Sequence, residues 1–190
     1  MGKVVYHTAC TLDGFIADEH NSLQWLFDTP HEESEDAGGW DAFVARIGTM
    51  TMGATTYEWV LEHERLLEHP DKWREWYGAR PCWVFTHRDL PALPGVDIRF
   101  VQGEVRVVYD DMLAASEGDT WIVGGGDLVG QFDDAGLLDE IQLGMCPVTL
   151  GAGAPLLPRR ITSRRMTLRS AHQEGQRVRV VLDVDRRTAR

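Results

Sequence analysis

The sequence has few cationic side chains, three cysteines and no long apolar run. Its 190 residues carry 19 Lys and Arg against 30 Asp and Glu, which gives a net charge of −11. This deficit of positive charge argues against binding to nucleic acid or to an anionic membrane surface. The N-terminal residues hold no long apolar core and no apolar run reaches membrane-spanning length, so we expect a cytoplasmic protein.

The cysteines and histidines also exclude a class of site. Cys10, Cys82 and Cys146 lie far apart, each in an apolar segment that resembles a strand. That placement is typical of buried free thiols rather than of disulfides or a metal site. His63 and His69 are in a charged helical stretch without the spacing of zinc ligands, so we predict no metal.

What the sequence does have is an apolar strand at 121–123 that leads into Gly124, Gly125 and Gly126 and then into a helical pattern. Glycines let the backbone approach a ligand closely, and the free N–H groups of the next helix then face a phosphate. A nucleotide is therefore the leading ligand, and a tight turn without a ligand is the alternative. The spacing departs from the dinucleotide fingerprint, because Val129 stands where a third glycine belongs.

Strands and helices alternate along most of the chain, without repeats or low-complexity linkers. We predict strands at 4–10, 49–53, 82–86, 98–102 and 121–123. We predict helices at 40–47, from Tyr57, at 105–116 and after the glycines, with Thr55 or Thr56 as the cap of the helix at Tyr57. Residues 18–39 are typical of an acidic loop, and 58–77 of a charged surface excursion broken at Pro70.

The alternation of strand and helix stops at Leu138. A long strand at 141–148 and a hairpin at 166–172 and 176–184 follow. We therefore predict one α/β domain over residues 1–190, with a mixed, mostly parallel sheet and an antiparallel C-terminal edge. Apolar residues alternate with polar ones in the last strand, which favours a homodimer on this edge; the alternative is that this face packs on the protein's own helices. These apolar residues are Val178, Val180, Leu182 and Val184.

Short motifs in a fixed order connect these elements to a known superfamily. They are LDGFIA at 12–17, SLQWL at 22–26, MGATTYE at 52–58, VFT at 84–86, IVGGG at 122–126 with QF at 131–132, and LDEI at 138–141. Over nearly its whole length the chain resembles the dihydrofolate reductase-like superfamily. The branch that it resembles is the C-terminal reductase domain of the bifunctional riboflavin-biosynthesis deaminase/reductase. The resemblance implies a three-layer α/β sandwich and an NADPH-dependent reductase.

The resemblance also implies which residues hold NADPH. They are Ile16 and Ala17 over the nicotinamide, Gly53, Ala54, Thr55 and Thr56 at a second strand-to-helix junction, Thr86, His87 and Arg88 beside the adenosine ribose, and Gly124, Gly125, Gly126, Asp127 and Leu128 at the pyrophosphate. Arg88 is the expected partner of the 2′-phosphate. Trp25 and Gly144 are expected at the substrate pocket.

Three departures from the family pattern bear on cofactor and substrate. Ala54 replaces the arginine that folate reductases usually have after the Met-Gly pair, which leaves the choice between NADPH and NADH open. Gly144 stands where a pterin-binding threonine is expected, which disfavours folate. The Asp-Pro of the riboflavin-pathway reductases is absent after Tyr57. Arg80 lies where folate reductases bind the glutamate tail, but an ordinary charged strand edge is the favoured interpretation.

Hydride addition to a C=N bond also needs a proton donor. Asp36 lies closest by spacing to the carboxylate that folate reductases use, and Asp28 and Asp41 are competing candidates. A solvated acidic loop is the alternative. Asp13 is a second candidate, although Asp-Gly is also a common turn pair.

Three functions stay open at this point. The first is an NADPH-dependent reductase of a small heterocyclic or ribosylamino substrate, with 5-amino-6-(5-phosphoribosylamino)uracil reductase as the nearest named activity. The second is a dihydrofolate reductase, which Gly144 disfavours. The third is a non-catalytic domain that binds a nucleotide or another small molecule.

Overall fold

The structure is a computed structural model that describes residues 2–30 and 38–186. Its strands are β1 (Val4–Thr11), β2 (Phe15–Ala17), β3 (Ile47–Gly53), β4 (Cys82–Phe85), β5 (Ile98–Val101), β6 (Asp119–Gly124), β7 (Glu140–Cys146), β8 (Ala154–Pro155), β9 (Met166–Glu174) and β10 (Arg177–Val184). Its helices are α1 (Gln24–Phe27), α2 (Gly38–Arg46), α3 (Ala54–His63), α4 (Lys72–Tyr77), α5 (Val105–Ala115) and α6 (Gly126–Asp134).

Eight strands form one sheet in the order β5-β4-β3-β6-β1-β7-β10-β9, while β2 pairs with β8. All neighbouring strands from β5 to β7 are parallel. β10 is antiparallel to β7, and β9 is antiparallel to β10. The predicted mixed sheet with an antiparallel C-terminal hairpin is therefore confirmed.

Successive side chains of the central strands point to opposite faces of the sheet, and each face has an apolar layer. Val4 and Tyr6 lie on one face, where α5 and α6 cover the sheet. Val5 lies on the other face, which α2, α3 and α4 cover. Helices on both faces of one sheet form three layers, so the fold class is also confirmed.

Two predictions about residues 55–77 are wrong. α3 begins at Ala54 rather than at Tyr57, with Gly53 as its N-cap and no side-chain hydrogen bond at the cap. Thr55 and Thr56 therefore belong to its first turn. The segment that follows α3 is not a surface excursion, because Leu66 and Trp73 are fully buried in the apolar layer under α3 and α4.

The C-terminal hairpin packs differently from the expected dimer surface. β10 is paired on both sides, and Val180 and Leu182 pack against the protein's own core. The alternative of self-packing therefore describes most of this face. β9 forms the edge of the sheet, and the large exposed apolar side chains of the hairpin are Leu168 and Val178. The homodimer stays a prediction.

The predicted acidic loop at 18–39 contains the four-residue helix α1, which is too short to show a helical period. The three cysteines are free and buried, as predicted. Among the described residues, no helix is both long and apolar enough to cross a membrane. The same part of the chain holds no group of three His, Cys, Asp or Glu side chains suited to a metal ion.

Candidate active site

The chain order of the sheet changes direction between β3 and β6. From β3 the chain continues outward to β4 and β5, whereas β6 lies on the other side of β3. α3 follows β3 on one face, and α6 follows β6 on the opposite face. In open α/β sheets, ligands bind in the crevice that such a switch opens at the carboxyl ends of the strands.

A cavity of about 490 Å³ lies at this switch point. That volume is typical of small-molecule sites. Most of the predicted cofactor residues line it: Ile16, Ala17, Gly53, Ala54, Thr55, Thr56, Arg88, Gly124, Gly125, Gly126, Asp127 and Leu128. The structure thus brings both strand-to-helix junctions and the end of the first loop to one place. Their contact with a cofactor stays a prediction.

The three glycines have different surroundings. A Cβ on Gly124 would lie 3.1 Å from Thr56 Oγ1, which shows how closely α3 approaches the glycine run. A Cβ on Gly126 would overlap the carbonyl oxygens of Pro155 and Leu156. At Gly125, by contrast, a Cβ would meet only Ile16 Cδ1, at 3.8 Å. Gly126 is therefore required by packing, whereas Gly125 leaves its open side to the cavity.

Arg88 lies over the first turn of α3. Its guanidinium donates to Glu58 Oε2 at 2.6 Å and to Thr55 Oγ1 at 3.3 Å. Thr86 and His87 do not line the cavity. The Thr86 hydroxyl accepts from the backbone N–H of Arg88 at 2.9 Å, so it holds the turn that carries Arg88.

Asp127 is the one carboxylate among the described residues that line the cavity. It stands in the first turn of α6 and accepts from Gln131 Nε2 at 3.0 Å and from Arg159 at 3.1 Å. Its place at the N-terminal end of a helix suits a negative charge. These contacts give it a part in holding the loop of Arg159 against α6.

The other wall of the cavity consists of residues that sequence reasoning did not assign to it. They include Thr8 and Ala9 of β1, Leu23 and Leu26 at α1, and Trp59 of α3. Beside the cavity, Phe27 stacks on His63 with ring centroids 5.0 Å apart, and His63 stacks on the lining residue Trp59 at 4.4 Å. These stacked rings fix α1 against α3. The SLQWL motif at 22–26 was the sequence feature that could have pointed to this wall. Which of its residues face the cavity depends on how α1 packs against α3.

The hydrogen bonds of Asp13 are those of a residue that holds loops together and not those of a proton donor. It accepts hydrogen bonds from Thr11 Oγ1 at 2.6 Å and from the backbone N–H groups of Leu150 and Gly151 at 3.0 and 2.7 Å. These hydrogen bonds, that of Thr11 above all, lower the pKa of Asp13. Asp13 is absent from the cavity wall and holds together two loops. Asp36, the first candidate, lies outside the described residues.

The two predicted substrate residues lie near the cavity without lining it. Trp25 is buried in α1, between the lining residues Leu23 and Leu26. Gly144 of β7 pairs with the lining residue Ala9. Their contact with a substrate stays a prediction.

Arg80 has the structural role that was the alternative to a ligand contact. Its guanidinium donates to the backbone carbonyls of Val44 and Ile47 at 2.7 Å and of Tyr77 at 3.0 Å. It therefore ties the ends of α2 and α4 together.

Solved structures show the same fold. A crystal structure from Shewanella sp. PV-4, described as that of a candidate riboflavin biosynthesis protein, gives a TM-score of 0.78 at 23% identity and covers 98% of this chain and 100% of its own. The deaminase/5-amino-6-(5-phosphoribosylamino)uracil reductase of Thermotoga maritima gives 0.63 at 14%, over 96% of this chain and 56% of that protein. Dihydrofolate reductase of Enterococcus faecalis, solved with NADP(H), gives 0.57 at 16%, over 98% of both.

Sequence comparison assigns the family. The chain is 29% identical over 176 residues to the Bacillus subtilis (strain 168) protein named "Uncharacterized protein YwjB". The aligned residues cover 93% of this chain and 94% of that protein. Residues 67–182, more than half of the chain, match the family described as "RibD C-terminal domain". The protein therefore belongs to the RibD C-terminal domain family.

Proposed function

We propose that this protein is an NADPH-dependent oxidoreductase that transfers a hydride to a small heterocyclic substrate. One observation carries the proposal: the N-termini of α3 and α6, at Ala54 and Gly126, lie on the wall of one cavity. Each N-terminus offers free backbone N–H groups and the positive end of a helix dipole. A dinucleotide, with its pyrophosphate between them, has the chemistry that both ends attract. The reductases named among the similar structures support the same reading.

The residues of the cavity fit such a cofactor. The open side of Gly125 allows a phosphate to reach the backbone, and Ile16 stands opposite it. Among the described lining residues, Arg88 is the one with a cationic side chain, and we assign it to the 2′-phosphate. Glu58 holds Arg88 in the absence of that phosphate.

When bound, NADPH supplies the hydride for the reduction. The substrate carbon of a C=N or C=O bond gains that hydride and its heteroatom gains a proton. Ile16 and Ala17 would cover the reacting end of the cavity and exclude water. Asp36 stays the proposed proton donor, because the hydrogen bonds of Asp13 keep that carboxylate ionised.

The nearest named activity for this site is 5-amino-6-(5-phosphoribosylamino)uracil reductase. Dihydrofolate reduction is the weaker candidate, because Gly144 offers no hydroxyl to a pterin. A non-catalytic binding domain remains the alternative from a different class, and turnover separates it from both reductases.

Calorimetric titration with NADPH tests the proposal, followed by an assay of cofactor oxidation with candidate heterocycles. We expect Gly125→Val to abolish NADPH binding, because a β-branched side chain would fill the space that the phosphate needs. Gly125→Ala should weaken binding less, and both variants should keep the wild-type melting temperature. Unchanged NADPH affinity in Gly125→Val would refute the site.

A further inference from the structure

Thr8 of β1 is a partly exposed residue at the wall of the cavity, and its hydroxyl has unused hydrogen-bonding capacity. Thr8 stands two positions from Tyr6, so the two side chains leave the sheet on the same face. Tyr6 belongs to the apolar layer under α5 and α6. The Thr8 side chain is therefore on the side of the sheet that carries Gly126, the first residue of α6, which also lines the cavity.

The hydroxyl of Tyr6 is already used within the protein. Tyr6 is fully buried, and its hydroxyl donates to the backbone carbonyl of Leu156 at 3.2 Å. That carbonyl oxygen lies against Gly126, where a Cβ would overlap it. Burial raises the pKa of Tyr6, so the phenol keeps its proton at neutral pH. A hydroxyl has one donor proton, and Leu156 takes that of Tyr6, which leaves none for Thr8.

The single proton of Thr8 also points into the protein. Its hydroxyl donates to the backbone carbonyl of Ala9 at 3.2 Å. The Tyr6 oxygen is a second acceptor for it, because the hydrogen bond between the two hydroxyls lowers the pKa of Tyr6 against the larger effect of burial. Among the described residues, no group donates to the Thr8 oxygen. The lone pairs of that oxygen are therefore available, and Thr8 presents an acceptor to the cavity.

Thr8 lies at the end of the cavity that Ile16 covers. The backbone N–H of Phe15 donates to Thr11 Oγ1 at 2.9 Å, which holds β2 and its Ile16 at the end of β1. Arg88 is at the opposite end. Since β6 and β3 separate β1 from β4, Thr8 and the turn that carries Arg88 stand three strand spacings apart, or roughly 14 Å.

We propose that the Thr8 hydroxyl oxygen accepts a hydrogen bond from the carboxamide N–H of the cofactor's nicotinamide. With the 2′-phosphate on Arg88, the adenine and its amino group lie at the far end of the cavity. Phosphates are acceptors, so the carboxamide is the N–H donor that the dinucleotide brings to Ile16 and Thr8. This contact would fix the rotation of the nicotinamide ring. The assignment rests on the proposed reductase and names a residue that selects its cofactor.

Calorimetry with NADPH and with its 3-acetylpyridine analogue tests the assignment. The analogue keeps the carbonyl and has a methyl group in place of the amide nitrogen, so it lacks the N–H donor. We expect the wild-type protein to bind NADPH about fivefold more tightly, which corresponds to one neutral hydrogen bond. Thr8→Val removes the hydroxyl and keeps the shape, so it should bind both cofactors as the wild type binds the analogue. Thr8→Ser should restore the preference.

Thr167→Val, in the exposed edge strand β9, is the matched control and should keep the wild-type preference for NADPH. Equal affinity of the wild-type protein for the two cofactors, or a preference that persists in Thr8→Val, overturns the assignment of Thr8 and leaves the cofactor site in place. Should Thr8→Val fail to fold, Thr8→Ala replaces it with the same expectation. A wild-type protein that binds neither cofactor would refute the proposed reductase, and the assignment with it.

Discussion

The parallel part of the sheet and its antiparallel edge differ in the number and the role of their charged side chains. At the ends of β3 and β6 the cavity wall consists mainly of glycines, hydroxyls and apolar groups. At the edge, Lys3, Arg46 and Arg169 converge on the fully buried carboxylate of Glu140. Backbone N–H groups form the proposed anion site in the first region, and charged side chains join elements in the second. This cluster of charges is therefore structural.

Glu140 is ionised despite its burial. Burial would raise the pKa of Glu140, but hydrogen bonds from Gln142, Lys3 and Arg46 outweigh that effect and hold the pKa at about 2. The carboxylate is thus ionised in the folded protein, where it joins the start of β1, the end of α2 and the hairpin. A change there should affect stability and not the cofactor.

Glu140→Gln should give the largest effect, a loss of about 3 kcal/mol in the free energy of unfolding, because it leaves three cations without their shared partner. Urea unfolding measures this loss, and NADPH affinity should stay unchanged. Glu68→Gln, which removes an exposed ion pair with Arg65, should cost less than about 1 kcal/mol. A loss at Glu140 no larger than this control would contradict a structural role.

The pH dependence of the same stability gives a second measure of Glu140. Its folded-state pKa of about 2 lies below the ordinary value of 4.5. Its contribution is therefore fully present above pH 4.5 and is lost as the pH falls towards 2. The free energy of unfolding, measured at several pH values across this range, should depend less steeply on pH in Glu140→Gln than in the wild type. An identical slope in both proteins would show that Glu140 is not the responsible group.

Gly126→Ala and Gly125→Ala should separate packing from binding within the glycine run. The new Cβ at 126 overlaps two backbone carbonyls, so we expect a loss of about 2 kcal/mol in stability. At 125 the nearest atom is 3.8 Å away, and stability should change by less than about 0.5 kcal/mol. Thermal unfolding of the two variants measures both values. Equal losses would mean that the loop over α6 does not constrain Gly126.

Arg88→Ala should lower NADPH affinity about tenfold, because a charge-assisted contact to phosphate is lost, and should leave NADH affinity nearly unchanged. Glu58→Gln is the matched variant that keeps Arg88 and removes the carboxylate that competes for it. It should raise NADPH affinity by about twofold. Parallel titrations with both cofactors measure these effects. Equal losses for NADPH and NADH in Arg88→Ala would show that it does not read the 2′-phosphate.

The smallest expected effect concerns the edge strand β9 and the predicted homodimer. Leu168 and Val178 are 59% and 41% exposed, whereas Val180 and Leu182 belong to the core. Leu168→Lys with Val178→Lys should therefore weaken a dimer without unfolding the chain. Light scattering measures the mass. A wild-type mass equal to the single chain of 21.4 kDa would refute the dimer, and a doubled mass that survives both changes would refute this surface.

The order of strands and helices, and most of the proposed cofactor site, follows from the sequence. A strand that runs into glycines, and a second that runs into Gly53 and Ala54, predict two junctions at the carboxyl edge of a parallel sheet. Both junctions depend on local backbone properties, which neighbouring residues determine. The hairpin of β9 and β10 follows in the same way from alternation and a turn.

The rest depends on packing between distant segments. Trp59 lines the cavity and Trp73 is buried, although both stand in charged segments of similar composition. The hydroxyl of Thr86 is used by a turn, whereas Thr55 reaches the cavity wall. Ala9, Gly144 and Arg179 lie side by side across the sheet only because β1, β7 and β10 pair in one register. A local sequence pattern does not determine which residues of distant strands pair with each other.

A crystal structure of the protein with NADPH tests the central claim most directly. The account predicts the pyrophosphate between residues 124–126 and the first turn of α3, with Arg88 turned from Glu58 to the 2′-phosphate and Ile16 over the nicotinamide. A pyrophosphate bound anywhere else, or crystals that hold no NADPH at saturating concentration, would contradict it.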